Sequence, residues 1–243
     1  KQNNIKSVSI VNVLDSSIAR SSDYILPTLA GPEIGVASTK AFTSQLIVFA
    51  LLTLHLSKQN QFKKNELFKS LFFIHDSVQD VLNNSINLRN VTRYLINSKS
   101  IFYIGRGTMY PLALEGALKL KEITYKHCEG YAAGELKHGP LALIENNIPV
   151  IALAPYDQNF SKLLSNIQEI KARGAKTIII TDRKGSKKVK KYCDQIIQLP
   201  DTNYLTAPIV YSIPIQLIAY NLAVMLGTDV DQPRNLAKSV TVE

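Results

Sequence analysis

Three charged side chains share one face of an otherwise apolar segment. Glu115, Lys119 and Glu122 are spaced i, i+4 and i+7 in ALEGALKLKEIT, which places them along one side of an α-helix. On most helices such a pattern is an exposed ladder of salt bridges. Here the residues between them are nearly all Leu, Ala or Gly, so the charged stripe must enter a polar cavity or reach solvent through a narrow gap. A carboxylate beside a lysine in a partly desolvated cavity is suited to general-base chemistry.

A histidine lies in a shaped loop shortly after this segment. His138 is in GELKHGP, between two glycines and before a proline. Such a histidine serves either as a structural hydrogen-bonding group or in acid–base chemistry. The other three histidines have simpler settings, in an apolar helix, in a polar helical stretch and at a helix end: His55, His75 and His127.

Two loops could present hydrogen-bond donors to a ligand. The GRG turn at residues 105–107 follows an apolar run and precedes a helical pattern, so it is either a tight turn or an anion site at a helix N-terminus. The segment GPEIGVASTKAF at residues 31–42 places hydroxyl groups just before another helix. Ser38 or Thr39 would form the N-cap there, or would donate to a polyol or a phosphate.

The C-terminal segment DQPRNLAKSVTVE contains one lysine, Lys238, flanked by small or apolar residues. Chain ends are usually poorly ordered unless something anchors them, and Pro233 restricts the backbone of this one. The residues alone leave open what a single lysine does in this position.

The elements that position these residues follow an α/β pattern. Short β-branched runs alternate with longer helical patterns, which is typical of βαβ units with a parallel sheet. The predicted strands cover residues 8–13, 100–107, 149–155, 177–182 and 195–200, and the predicted helices cover 40–57, 63–97, 110–126, 158–173 and 208–226.

Two stretches of the chain resemble each other in order and spacing. Each runs from an Asp through a short apolar strand and a loop to a helix that begins near a Gln-Leu pair, with 45 − 23 = 22 residues from Asp23 to Gln45 and 216 − 194 = 22 from Asp194 to Gln216. This match predicts a duplicated α/β unit. The second copy has a strand, a helix and a strand upstream that the first copy lacks, so we expect the first unit to be truncated at its N-terminus.

Composition limits the classes of function. The 46% of apolar residues predicts a globular core, and the net charge of +9 is spread over polar stretches rather than gathered in a stripe with aromatics. We therefore expect no nucleic-acid partner. Two cysteines without a CxxC pattern indicate neither a disulfide framework nor a zinc site. No apolar run of about 18 residues and no signal peptide is evident, so we expect no membrane association and a cytoplasmic location.

Together, the segments ALEGALKLKEITY, GELKHGPLALI, EIGVASTKAF and DQPRNLAKSVTVE resemble the isomerase part of the glucosamine-6-phosphate synthase family over essentially the whole chain. The resemblance implies two SIS domains, each a flavodoxin-like αβα sandwich with a parallel sheet. The boundaries are then 1–62 for the end of the first domain, 63–97 for a helical linker, 98–230 for the second domain and 231–243 for a catalytic tail.

The resemblance also implies roles for individual residues. Lys238 matches the lysine that forms a Schiff base with open-chain fructose 6-phosphate, and Glu122 matches the base that moves a proton between C1 and C2. His138 matches a histidine that assists ring opening from the neighbouring subunit, and Lys119 matches a lysine that stabilises the enolate-like charge. Three further positions match residues that line the sugar site: Val36, Ser38 and Ala237.

The family pattern implies partners and leaves alternatives open. It implies fructose 6-phosphate, glutamine acting through a glutaminase domain absent from this chain, a homodimer, and no metal or organic cofactor. The Ser/Thr-rich phosphate loop of the family's first SIS domain is not found in the sequence, so we expect the chain alone to bind the substrate phosphate poorly. The alternatives are another SIS-fold sugar-phosphate isomerase or deglycase, and a sugar-phosphate-binding module without catalysis.

Overall fold

A computed structural model describes residues 5–84 and 86–238. The predicted tail reaches residue 243, and its last five positions lie outside this range, as do residues 1–4 of the first predicted domain and residue 85 of the predicted linker. The chain begins with β1 (Val8–Val11), α1 (Ser17–Ser21), β2 (Tyr24–Pro27) and α2 (Lys40–Leu56). β1 and β2 form a two-stranded parallel sheet.

A second, larger sheet follows. Its strands are β3 (Ser100–Gly105), β4 (His127–Ala132), β5 (Pro149–Leu153), β6 (Lys176–Asp182) and β7 (Gln195–Leu199). All neighbours are parallel, in the order β4-β3-β5-β6-β7. The helices are α3 (Gln61–Phe72), α4 (Ile74–Asn83), α5 (Ile86–Arg93), α6 (Met109–Thr124), α7 (Phe160–Lys171), α8 (Arg183–Val189) and α9 (Ala207–Leu226), with 3₁₀ turns at Ala133–His138, Pro140–Leu143 and Lys190–Tyr192.

Both faces of the larger sheet are covered, which explains its strands' nearly continuous apolar composition. Alternate residues of β3 point to opposite sides: Tyr103 joins the core formed with α6 and α9, whereas Phe102 and Ile104 join the core formed with α7. This arrangement confirms the predicted α/β class with parallel strands.

The predicted repeat corresponds to the same order of elements in two places. The first copy runs β1, α1, β2, α2, and the second runs β6, α8, β7, α9, with parallel pairing of the two strands in each. Neither α1 nor α8 was predicted from the sequence. Both are short and polar, so their apolar periodicity is too weak to identify them.

Residues 63–97, predicted to be a helical linker, contain most of α3 and all of α4 and α5. Their apolar side chains belong to the same core as α9, among them Leu67, Leu71, Val81, Leu88 and Val91. Asn203 also donates to Ser70 Oγ at 2.8 Å. These helices therefore share a hydrophobic core with α9.

The end of α6 and the start of β4 differ from the prediction in a way that affects a candidate residue. The helix predicted over 110–126 ends at Thr124, because Tyr125 adopts a left-handed conformation with φ of 60°. His127, predicted at a helix end, is instead the first residue of β4.

Helix α9 is the one helix in the described ranges that is long and apolar enough to cross a membrane, although the sequence showed no unbroken apolar run. Ser212, Gln216 and Asn221 interrupt the run without lowering its mean hydropathy below 1.7. The helix packs on α4, α5 and α6, and 61% of the apolar window is buried, as in the core helix of a globular domain.

Candidate active site

The charged stripe of α6 is buried rather than exposed. Lys119 is only 4% exposed. Its Nζ lies 2.6 Å from Glu122 Oε2 and 3.5 Å from Glu115 Oε1. Burial raises the pKa of Glu115, as does the charge of Glu122, while the ammonium of Lys119 opposes the rise. The predicted face of α6 thus places one cation between two carboxylates in a largely desolvated position.

Lys119 lines a cavity of about 340 Å³. One wall is the segment before α2, which includes Glu33 and Gly35, and the others come from α6, α9 and the beginning of the tail. The lining residues are Pro32, Glu33, Ile34, Gly35, Ala37, Thr39, Lys40, Lys119, Ile123, Gln216, Ala219, Tyr220, Val230 and Asp231. Four separate parts of the sequence therefore line the cavity beside Lys119, the central residue of the charged stripe.

The N-terminus of α2 is capped by a residue that sequence analysis missed. Thr39 occupies the N-cap position but makes no side-chain capping bond. Glu33 Oε1 instead accepts hydrogen bonds from Thr39 N at 2.8 Å and Ala41 N at 3.2 Å. Burial alone would raise the pKa of Glu33, but these bonds, with those from Lys238 and Ser38, lower it to about 2.

The tail is attached along the rim of the cavity. Asp231 O accepts a hydrogen bond from Val36 N at 2.8 Å. The Arg234 guanidinium lies 4.2 Å from the centre of the Tyr125 ring, and Arg234 N donates to Tyr125 Oη at 2.9 Å. Lys238 Nζ donates to Gly35 O at 2.6 Å and to Glu33 Oε2 at 3.2 Å.

The remaining predicted site residues have different placements. Val36 and Ser38 are half-buried on the segment that walls the cavity, and Ala237 is an exposed neighbour of Lys238. His138 ends the 3₁₀ turn at Ala133–His138, where its Nδ1 lies 2.8 Å from Glu135 Oε2. Its side chain is 74% exposed, and it is not among the cavity-lining residues within the described part of the chain. One copy of the chain therefore does not bring His138 to Lys119.

The GRG turn needs no ligand to explain its glycines. A Cβ on Gly105 would lie 2.2 Å from Met109 O, and Gly107 has a positive φ of 56°. Arg106 Nε donates to Asn166 Oδ1 at 3.1 Å. Of the two interpretations of this motif, the geometry fits the tight turn.

Sequence comparison finds relatives that are about half identical to this chain and share one name. The glutamine–fructose-6-phosphate aminotransferase [isomerizing] of Bartonella henselae is 54% identical over 243 residues, which cover 98% of this chain and 40% of the relative. The chain thus spans about two fifths of the length of such relatives. Among solved structures, the C-terminal domain of glucosamine-fructose-6-phosphate aminotransferase from Francisella tularensis is 42% identical, with a TM-score of 0.88 over 94% of this chain and 65% of that one.

The fold itself is shared more widely. A glucosamine-6-phosphate deaminase from Thermotoga maritima matches with a TM-score of 0.70 at 22% identity, covering 98% of this chain and 68% of that one. At this identity the match shows the fold alone. A family model described as the SIS domain matches residues 1–55 and 94–226, which is most of the sequence and includes both copies of the repeat. The chain therefore belongs to the SIS domain family.

Proposed function

We propose that this chain forms the isomerase part of a synthase that makes glucosamine 6-phosphate from fructose 6-phosphate and glutamine. The observation that carries the proposal is the position of two lysines at one cavity. Lys119, held by Glu122, lines it from α6, and Lys238 is bonded to Glu33 and Gly35, which line it from the segment before α2. The named activity of relatives at about 50% identity supports the same reaction.

The chemistry assigns one step to each side chain. The Lys238 amine attacks the ketone carbon of the open-chain sugar, and water leaves as the imine forms. A protonated imine withdraws electrons from C1, so its proton becomes acidic enough for a carboxylate to remove. Ammonia released from glutamine then replaces the Lys238 amine at C2, which frees the lysine and leaves an imine of ammonia. Glu122 takes the C1 proton and returns it at C2, while the C1 hydroxyl loses its proton as the aldehyde forms and the C2 nitrogen becomes the amine. The ammonium of Lys119, 2.6 Å from Glu122, stabilises the negative charge that develops.

We further propose a cytoplasmic homodimer in which His138 assists sugar ring opening in the neighbouring subunit. Two features support a role for His138 in the site of the neighbouring subunit. His138 is 74% exposed, and it ends a turn that packs against α7, on the opposite side of the sheet from Lys119. Val36, Ser38 and Ala237 are proposed to line the sugar, because they lie on the segment and the tail that border the cavity.

The test is chemical trapping in the full-length protein. Fructose 6-phosphate is added, the imine is reduced with borohydride, and the modified lysine is located by mass spectrometry. We expect the adduct on Lys238, and we expect Lys238→Ala to abolish both the adduct and glucosamine 6-phosphate formation. Lys63→Ala, which removes an exposed lysine on α3, is the matched control and should change neither.

Three other outcomes would contradict the proposal in different ways. An adduct on a different lysine would refute the assignment of the nucleophile. Sugar isomerisation without incorporation of nitrogen from glutamine would indicate a different SIS-fold isomerase. Binding of fructose 6-phosphate with no turnover would indicate a sugar-phosphate-binding module.

A further inference from the structure

A carboxylate that takes no part in the proposed proton transfer contacts the proposed nucleophile directly. Glu33 Oε2 accepts a hydrogen bond from Lys238 Nζ at 3.2 Å, across 205 residues of sequence. The Glu33 side chain is only 10% exposed, whereas that of Lys238 is 45% exposed. The contact therefore joins a long, half-exposed lysine side chain to a largely buried carboxylate.

The backbone of α2 fixes Glu33 in place. Its Oε1 accepts from Thr39 N and Ala41 N, and these bonds leave Oε2 facing the tail. Because hydrogen bonds from the α2 backbone and from Lys238 hold the pKa of Glu33 near 2, the carboxylate is ionised throughout the neutral range. The side chain thus presents a negative charge at a set position beside the cavity.

Lys238 supplies the attachment of the last described residues. Between Asn235 and Lys238, the hydrogen bonds that reach other parts of the described chain come only from Lys238 Nζ, to Glu33 and to Gly35 O. The bond from Leu236 N to Pro233 O stays within the tail. The other contacts that attach the tail, those of Asp231 and Arg234, lie several residues earlier in the sequence than Lys238. Without Glu33, the amine would keep only one carbonyl partner.

We infer that Glu33 is a positioning residue that brings the Lys238 amine to the rim of the cavity through a charge-assisted hydrogen bond. This inference rests on the proposed function, in which Lys238 is the nucleophile. The ion pair holds the Lys238 ammonium at the cavity wall before the sugar enters, and the ammonium then releases one proton to solvent so that the neutral amine can attack. Because the amine starts at the cavity, a smaller part of the tail's conformational freedom is lost when the imine forms. Loss of the Glu33 charge should slow imine formation.

The substitution Glu33→Gln separates the two contacts of this side chain. The amide oxygen can still accept from Thr39 N and Ala41 N, so α2 keeps its cap, while the negative charge facing Lys238 is removed. The control is Glu66→Gln, which removes the same charge from an exposed pair with Lys63 on α3. We expect Glu66→Gln to keep the melting temperature of the unmodified full-length protein within about 2 °C. Glu33→Gln should lower it by several degrees, because the hydrogen bonds at the start of α2 are weaker to a neutral amide than to a carboxylate, so the following measurements are made well below both melting temperatures.

Two measurements follow on the full-length protein. The first is the rate of borohydride-trapped adduct at Lys238 with fructose 6-phosphate below saturation. We expect Glu33→Gln to lower it roughly tenfold, which corresponds to about 1.4 kcal/mol, and Glu66→Gln to leave it unchanged. Added salt should lower the rate of the unmodified protein toward that of Glu33→Gln, because salt screens a partly exposed ion pair. A purely structural role would not produce this convergence.

The second measurement uses trace acetic anhydride without sugar and compares labelling of Lys238 with labelling of Lys63. Glu33→Gln should increase labelling of Lys238 several-fold, because the amine is no longer bound to a carboxylate. Equal labelling in Glu33→Gln and the unmodified protein would overturn the inference, and so would equal rates of adduct formation. An absence of any Lys238 adduct in the unmodified protein would instead refute the proposed function, while the labelling result would still decide whether Glu33 holds Lys238.

Discussion

Replacement of Lys119 by methionine tests the energetic role of the buried charge cluster on α6. Methionine has a similar length and is flexible enough to occupy the same space. The substitution leaves Glu115 and Glu122 close together without the cation that lies 3.5 Å and 2.6 Å from them. The expected consequence is a loss of stability that depends on pH.

The size of that loss follows from the burial of the three groups. Lys119, Glu115 and Glu122 have side-chain exposures of 5%, 15% and 21%. Removing one partner of a buried ion pair costs about 3 to 5 kcal/mol, because the remaining charge is uncompensated. Since the two carboxylates keep some access to water, we expect the lower end of that range, about 3 kcal/mol at pH 7.

The direction of the pH dependence follows from Glu115. Its pKa is already raised by burial, and Lys119 is the influence that opposes the rise. Without Lys119, the pKa of Glu115 should rise further above that of the unfolded chain, so the folded variant gains a proton more readily. Stability relative to the unmodified protein should therefore recover as the pH falls below 7 toward the raised pKa of Glu115, because protonation removes the unpaired charge.

Urea unfolding of the full-length protein at several pH values measures both effects. The matched control is Lys63→Met, which removes an exposed ion pair in which Lys63 Nζ lies 3.3 Å from Glu66 Oε2. It should lower the free energy of unfolding by less than about 0.5 kcal/mol at each pH measured. Addition of Glu115→Gln to Lys119→Met should restore part of the lost stability. Equal losses for Lys119→Met and Lys63→Met, or a loss that does not change with pH, would refute the reasoning.

Two further substitutions test the tail and the first turn of the larger sheet. Arg234→Ala removes the guanidinium that lies 4.2 Å from the Tyr125 ring. Loss of this cation–π contact should weaken the attachment of the tail by about 0.5 to 1 kcal/mol. Proteolysis within the tail should therefore become several-fold faster. The comparable Lys191→Ala, which removes a cation 4.9 Å from the Tyr192 ring, should leave tail cleavage unchanged. Gly105→Ala would place a Cβ 2.2 Å from Met109 O, and we expect it to lower the free energy of unfolding by about 3 kcal/mol in denaturant titrations. A normal stability for this variant would show that the start of α6 can move away from β3.

The sequence predicted best the elements with a strong apolar pattern. The β-branched runs of β3, β5 and β6 identified the interior of the sheet, because strands covered on both faces are nearly continuously apolar. The shorter apolar run of β7 identified one of the two edge strands. The edge strand β4 escaped detection since its sequence, HCEGYA, mixes polar residues and glycine with few β-branched residues. Its position depends on pairing with β3, a long-range contact that no local pattern records.

The candidate site shows the same division between local and long-range information. The face formed by Glu115, Lys119 and Glu122 was predicted because helical spacing alone decides which side chains share a side of α6. Glu33 was missed, although it lies within the quoted segment GPEIGVASTKAF, because both of its roles depend on the folded structure. One oxygen caps a helix that begins several residues later, and the other meets a lysine 205 residues away.

The geometry of Glu33 connects the repeat to the candidate chemistry. The segment that contains Glu33 joins β2 to α2 in the first copy, while α9 of the second copy contributes Gln216, whose Nε2 lies 3.4 Å from Thr39 O. The Gln-Leu pair of the second copy lies within α9 rather than at its start, and its glutamine contacts the residue just before α2 of the first copy. The described part of the tail that follows α9 reaches Glu33 at Lys238. The two copies thus meet where the cavity forms, and the residues that differ between them, Glu33 and the tail lysine, form an ion pair at its rim.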